Sequence, residues 1–496
     1  MSDKLNHFEL TNSLKLSIFN KVNYFMKKLG FLLVIALTTL NSCQNRAKNS
    51  TVLQPIDQLQ NYVKDDTDFS FSVVDSIEYK KAKVYHVKMI SGKWLDEERA
   101  TPNLWWHWVD VIVPKERDTD KALLFIGAGS ADEKNWQLDS FNVEKAISTR
   151  SVIAQVSNIP FQPMRFGTND TINRYEDDLI AYGWNQFLSN GATEDQAEWL
   201  ARFPMTRAVS RAMDVVEEIT VNSTLPVKEF FISGASKRGW TTWTTAAVDE
   251  RVIGMAPLVI DLLNLKASFE HHFRVYGDWS PAVQDYVNYE IMDWIGSAEF
   301  DRLLSYVEPF EFKERFTMPK LIVNGTIDEF FVTDSWKFYF DQLPGYKQLQ
   351  YVANGNHGLT GSYNTPNVFS FFNALAHKEQ LPNWNWDIVS NRFEFSIDSA
   401  QSDYEVALWS ITNTEKRDFR IWEVGQNWEK TILSKNEDGS YSIEAPESSE
   451  GFTASFIEVT FNQGTDSEIV FSTGTLVLPE RYPFEVYRSA NLKGTR

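Results

Sequence analysis

Six stretches of this chain share one pattern, a strand-like run, continuously apolar in the first two, that closes in a loop of small or turn-forming residues. They are ALLFIGAGS (122–130), SVIAQVSNIP (151–160), VKEFFISGAS (227–236), RVIGMAPLVID (251–261), MPKLIVNGTID (318–328) and KQLQYVANGNHG (347–358). A strand with one wet face alternates apolar and polar residues, whereas an unbroken apolar run must be covered on both faces. Helical patterns lie between the runs. DQAEWLARFPMTRAVSRAMDVVEEIT (195–220) contains a long amphipathic helix expected to begin near Pro204, and TDSWKFYFDQLPG (333–345) reads as a helix stopped by Pro-Gly. Strands alternating with helices predict an α/β fold with a mostly parallel sheet covered on both faces. Such sheets place their chemistry at the carboxyl ends of the strands.

The flanks differ. Residues 67–114 are strand-like, with AKVYHVKMISGKW alternating and LWWHWVDVIVP ending at a proline. From residue 392 seven short alternating segments follow: RFEFSID, YEVALWSIT, DFRIWEV, WEKTILSK, SYSIEA, TASFIEVTF and EIVFSTGTLVLP. Turn-rich joints such as NEDG separate them, and the spacing predicts a β-sandwich of the immunoglobulin or fibronectin kind over 392–496. Residues 67–391 are then the α/β domain, and the polar stretch 44–66 reads as a tether. The chain carries no internal repeat.

At the N-terminus, Met26-Lys27-Lys28 precedes the apolar run LGFLLVIAL and then TTLNSC, which ends at Cys43. The run is too short to span a bilayer and has the length of a signal-peptide core. Met26 is a candidate initiator, and residues 1–43 read as a processing segment. LNSC resembles the lipobox of bacterial lipoproteins, which makes Cys43 the lipidation candidate and membrane attachment a matter of a lipid anchor only. Export to the periplasm or outer membrane of a Gram-negative cell is the expectation. Cys43 is the only cysteine, so no intramolecular disulfide can form. The net charge of −19 argues against nucleic acid and anionic membrane surfaces as partners.

The chemistry centres on GASKRGW (234–240). Ser236 follows a predicted strand and precedes a predicted helix, the setting of a nucleophile elbow. Two features are odd. Gly239 arrives one residue later than the second glycine of G-x-S-x-G, and two cations, Lys237 and Arg238, follow the serine near the positive end of a helix dipole. Among the histidines after Ser236, only His357 lies in a glycine-rich loop directly after an apolar run, and Asp328 ends the run before it. The order Ser…Asp…His is that of α/β-hydrolases. In that chemistry His takes the Ser proton and Asp orients and stabilises the imidazole. Asp261, at the end of another run, is the alternative acid. An oxyanion hole needs two backbone N–H groups, assigned to Lys237 and to the Gly127-Ala128-Gly129 loop, at Ala128 or Gly129. The adjacent His271-His272 cannot share a helix face, so no metal site is expected, and no cofactor.

GASKRGWTTW, RFPMTRAVSRAMD, YEDDLIAYGWNQFL and the GNHG loop resemble the PhoPQ-activated pathogenicity-related proteins, exported proteins with an α/β-hydrolase fold. The resemblance runs from about residue 70 into the C-terminal region and implies the same triad, Ser236, Asp328 and His357. The G-x-S-[K/R]-x-G pattern also resembles glucuronoyl esterases, where a basic residue after the serine helps hold the oxyanion. By that analogy Lys237 faces the substrate, as an oxyanion donor or a seat for an anionic group; both cations in structural ion pairs is the competing expectation. The leading functional expectation is an exported serine hydrolase acting on an ester or amide, with a small molecule, glycan or peptide as substrate. A glucuronoyl-esterase-like carbohydrate esterase and a non-catalytic binding or signalling protein on a hydrolase scaffold are the alternatives. No feature specifies an oligomeric state.

Overall fold

The computed structural model describes residues 54–133, 137–359, 364–398, 401 and 403–496. Cys43 and the apolar run before it lie outside the described residues. All six runs are strands of one large sheet. The strands that place the site are β1 (Ser70–Tyr79), β2 (Ala82–Lys93), β3 (Leu104–Pro114), β4 (Lys121–Ile126), β5 (Val152–Val156), β6 (Glu229–Ala235), β7 (Val252–Leu258), β8 (Lys320–Gly325) and β9 (Lys347–Val352). Their order across the sheet is β1-β2-β3-β5-β4-β6-β7-β8-β9. β3 runs antiparallel to both its neighbours, and β5, β4, β6, β7, β8 and β9 are mutually parallel. This is the α/β-hydrolase arrangement.

The unbroken apolar runs have a direct cause. Phe230 and Ile232 of β6 enter one core cluster and Phe231 the other; Ile322 of β8 enters the first, Leu321 and Val323 the second. With both faces buried, most positions are apolar, and buried polar exceptions such as Ser233, Gln348 and Gln350 are hydrogen-bonded. The first face carries helices α1 (Pro55–Lys64), α3 (Glu176–Ser189), α4 (Arg202–Thr220) and α5 (Lys237–Val248), and the second carries α2 (Ser140–Thr149) and α8 (Asn364–Ala376). Between β7 and β8, α6 (Leu265–Tyr276) walls the cavity over the carboxyl ends of the strands, and α7 (Ala298–Val307) packs against α1 and α3.

Several expectations need correction. The tether drawn over 44–66 is helical from Pro55: Leu59 and Val63 are buried, and the Arg207 guanidinium sits 4.4 Å from the Tyr62 ring centroid. Polar composition hid an apolar stripe at i, i+4 spacing. The helix expected near Pro204 is present, beginning at Arg202. Residues 333–345 form two short 3₁₀ turns, Ser335–Phe338 and Phe340–Gln342, instead of one helix. Between them Tyr339 (φ −140°) leaves helical space, and its ring is fully buried with its hydroxyl on Asp261. Tertiary burial of that ring overrides local propensity.

The C-terminal region also differs from an independent sandwich. Trp384–Val389, ahead of residue 392, pairs with Arg392–Ile397, so the boundary at 391 falls inside a hairpin. Ile469–Ser472 pairs with β9, and through it Phe452–Phe461, Tyr404–Asn413 and Glu429–Ile432 continue the hydrolase sheet. A three-stranded sheet of Trp384–Val389, Arg392–Ile397 and Ser440–Glu444 shares the second core cluster with α8. DFRIWEV is no strand: Phe419 is buried, and Ile421–Val424 is a helical turn. Short alternating segments announce strands, but not which edge they join.

Candidate active site

β6 ends at Ala235 and α5 begins at Lys237. The single residue between them, Ser236, has φ 58° and ψ −125°, a conformation a non-glycine residue holds only when its surroundings impose it. Those surroundings are glycines. A Cβ on Gly234 would stand 2.8 Å from the Arg238 carbonyl oxygen, and one on Gly239 would stand 2.8 Å from Leu258 O and 3.0 Å from Gly234 O. The late second glycine therefore does the expected work. It lets α5 press against β6 and β7, while position 238, facing elsewhere, admits a large side chain.

The structure brings Ser236, His357 and Asp328 together. His357 Nε2 is 2.8 Å from Ser236 Oγ, and His357 Nδ1 is 2.9 Å and 3.0 Å from the two Asp328 oxygens. A carboxylate only accepts, so Nδ1 carries the proton and Nε2 is free to accept from the serine hydroxyl. Asp328 is buried, and its Oδ1 accepts the Phe330 N–H at 2.7 Å. The His357 N–H donates to Glu329 at 2.8 Å, and the Phe330 ring lies against the imidazole, tilted by 32° with centroids 4.0 Å apart. The imidazole is thus held by Asp328, Ser236 and Phe330, and its backbone by Glu329.

Asp261, the alternative acid, is elsewhere. Its carboxyl receives the hydroxyls of Tyr339, at 2.8 Å, and Tyr351. Burial pushes its pKa up to about 8 against the pull of those hydrogen bonds. It is a buried acid held by two tyrosines, with no bond to His357.

For the oxyanion, Lys237 is the first residue of α5, so its N–H has no intrahelical acceptor. β4 pairs with β6 with Ile126 opposite Gly234, which brings the 127–130 loop out beside the serine at the point where strand order reverses. Asn158, Ile159 and Gln162 take up the loop carbonyls: Ala128 O accepts Asn158 N–H at 2.9 Å, and Gly129 O accepts Gln162 Nε2 at 2.7 Å. Gly127 spends its N–H on Val156 O. Among the described residues no acceptor takes the Ala128 or Gly129 N–H.

Neither cation is free: Lys237, which lines the cavity on Ser236, and Arg238 are both ion-paired. Lys237 Nζ lies 3.0 Å from Glu176 and 2.9 Å from Asp177, and Arg238 binds Glu176 and the Ile159 carbonyl. Glu176 and Asp177 open α3, where its dipole favours negative charge. Burial pushes the Glu176 carboxyl up, but the Arg238 hydrogen bond and the charges of Arg238 and Lys237 bring it down to about 2. Gln162 joins the same cluster, donating to both Gly129 O and Glu176. One ion cluster therefore binds the serine helix, α3 and the 127–130 loop. The unfavourable placement of Lys237 and Arg238 on their own helix is offset across the interface. The sequence signal for it was the acidic triplet in YEDDL; only the fold shows that the triplet meets SKR.

A mostly apolar cavity of about 40 Å³ opens on Ser236, walled by Trp184, Trp240, Leu265, Phe269, Trp279 and Phe330 among others. Asp177, Arg202 and Tyr286, none singled out from sequence, also line it. His271 and His272 hold no shared ligand: His271 bonds Asp334 and Tyr482, and His272 Nε2 accepts the Ser280 N–H at 3.0 Å. Among the described residues no group of three His, Cys, Asp or Glu side chains could hold a metal ion, and no helix is long and apolar enough to cross a membrane.

A family model described as PhoPQ-activated pathogenicity-related protein matches residues 59–420. Autocrine proliferation repressor protein A of Dictyostelium discoideum is 32% identical over 489 residues, covering 92% of this chain and 95% of that protein. Solved structures show remoter likeness. Acetyl xylan esterase 1 from Thermoanaerobacterium is 15% identical with a TM-score of 0.43, over 61% of this chain and 88% of that one. A glucuronoyl esterase from Solibacter usitatus is 14% identical with a TM-score of 0.32, over 56% and 75%.

Proposed function

The chain belongs to the PhoPQ-activated pathogenicity-related protein family, and from that premise we propose that it is a serine hydrolase acting on an ester or amide. The observation that carries the reading is the unbroken hydrogen-bond chain from Ser236 Oγ through His357 to Asp328, with the serine on a strained strand-to-helix turn. In this reading His357 Nε2 takes the hydroxyl proton as Ser236 Oγ bonds to the substrate carbonyl carbon. The carbonyl electrons move onto oxygen, where the N–H groups of Lys237 and of Ala128 or Gly129 receive them. As the tetrahedral species collapses, the bond to the leaving group breaks and His357 returns its proton to that group. Water then repeats the sequence on the acyl-serine. Asp328 holds the imidazole in the needed tautomer throughout. Backbone groups, not the Lys237 ammonium, serve the oxyanion, because that ammonium is engaged by two carboxylates. The signal-like run before Cys43 supports export, and a glucuronoyl-type ester remains the narrower alternative substrate.

One observation favours a second reading, a signalling protein on this scaffold: the 32% identical relative is named an autocrine proliferation repressor. A fluorophosphonate probe separates the two. Wild type should label and Ser236→Ala should not; a folded wild type that stays unlabelled removes the enzyme.

A further inference from the structure

The cluster around Ser236 contains three cations, Lys237, Arg238 and Arg202, but only two carboxylates in contact with them, Glu176 and Asp177. Lys237 and Arg238 consume both. Arg202 is 1% exposed and has no carboxylate within ion-pair distance among the described residues. Its Nη1 donates to Lys237 O at 2.7 Å and Thr241 Oγ1 at 3.3 Å, and its guanidinium lies 4.7 Å from the Trp240 ring centroid. Its Nε–H is buried without an acceptor. A guanidinium carries five N–H donors in a planar fork that matches a carboxylate in two parallel bonds, and here most of that capacity is unused. The residue lines the same cavity as Ser236.

A buried charge with neither ion partner nor full hydrogen bonding is costly, and its position on a substrate cavity suggests what offsets that cost. The other ionisable groups on the cavity wall do not. Asp177 is held by Lys237 and by the Tyr286 hydroxyl at 3.1 Å. His272 is kept neutral, since burial pushes its pKa down to about 3. Lys237 also lines the cavity, but its ammonium is engaged by Glu176 and Asp177, and apart from Ser236 and Tyr286 the rest of the wall is apolar.

We propose that Arg202 is a substrate-binding residue that receives a carboxylate carried a few atoms from the scissile carbonyl, so that the cavity selects short acid-bearing esters. This rests on Ser236 being the reacting residue, and the test keeps the two apart.

In Ser236→Ala protein, which cannot turn over substrate, calorimetry compares monomethyl succinate with its neutral isostere methyl succinamate. The acid should bind about tenfold or more tighter, the range for a hydrogen bond to a charged group. In the Ser236→Ala, Arg202→Met double variant that ratio should fall to about one, the charge-assisted bonds being gone. If Arg202→Met fails to fold, Arg202→Lys keeps the charge but loses the fork and should retain only part of the preference. Equal affinities for acid and amide in Ser236→Ala overturn the proposal, as does a preference that survives Arg202→Met. Fluorophosphonate labelling of wild type reports separately on Ser236: labelling without acid preference sinks only the Arg202 assignment.

Discussion

Replacing Lys237 by Met removes an ammonium while keeping the length of the stem. Its Nζ lies 3.0 Å and 2.9 Å from Glu176 and Asp177, with side-chain exposures of 9%, 34% and 16% for the three residues. Breaking a fully buried pair costs about 3–5 kcal/mol, because the abandoned charge stays buried. Glu176 is partly wet and keeps Arg238, and Asp177 keeps the Tyr286 hydroxyl. The loss should therefore be smaller, about 2 kcal/mol, between the buried and the solvent-exposed limits. Urea unfolding measures it. Asp177→Asn added to Lys237→Met should recover part of the stability, because it removes the stranded charge. On a short-chain nitrophenyl ester kcat should change by less than about tenfold, short of the loss expected for a missing oxyanion donor. The reasoning is refuted if kcat falls about a hundredfold or more while the unfolding free energy moves by less than about 0.5 kcal/mol. That result would mean that the ammonium leaves its carboxylates to meet the transition state.

Asp328→Asn should preserve the fold and lower kcat by about 10⁴ through the wrong imidazole tautomer, whereas Asp261→Asn should leave kcat nearly unchanged; the reverse pattern would reassign the acid. Asp261 also makes a pH prediction. Its folded pKa of about 8 lies above the ordinary 3.8, so the folded state binds the proton more tightly. Its contribution is undiminished below about pH 4 and is lost as pH rises toward 8. Asp261→Asn needs no proton, and its urea midpoint should decline less than that of wild type between pH 5 and pH 8; an equally steep decline would show that Asp261 is not the source. Gly239→Ala forces a methyl against two backbone oxygens at 2.8 and 3.0 Å and should cost about 1–3 kcal/mol. A thermal midpoint equal to wild type would show that the turn has room to yield.

The α/β sheet was legible because burial on both faces writes itself into composition: Phe230-Phe231-Ile232 and Leu321-Ile322-Val323 tolerate no polar residue. Ser236, Asp328 and His357 were legible because each follows a strand-like run closed by a loop, and a parallel sheet gathers the ends of its strands on one side. Three things were not. Strand-like segments after residue 392 predict strands, yet pairing partners are chosen by edges distant in sequence: the bridge of Leu349 to Ser472 joined four of them to the main sheet, while Arg392–Ile397 and Ser440–Glu444 went to a separate three-stranded one. The fate of Lys237 was open because an ammonium after the serine is chemically fit either for an oxyanion or for an ion pair. Only the arrival of α3, some sixty residues away in the chain, at the start of α5 brought Glu176 and Asp177 within reach. Arg202 carried no signal in a helix of ordinary composition. Its lack of a carboxylate partner is a property of the assembled neighbourhood, since neutralisation inside a protein depends on which charges the fold sets a few ångströms apart.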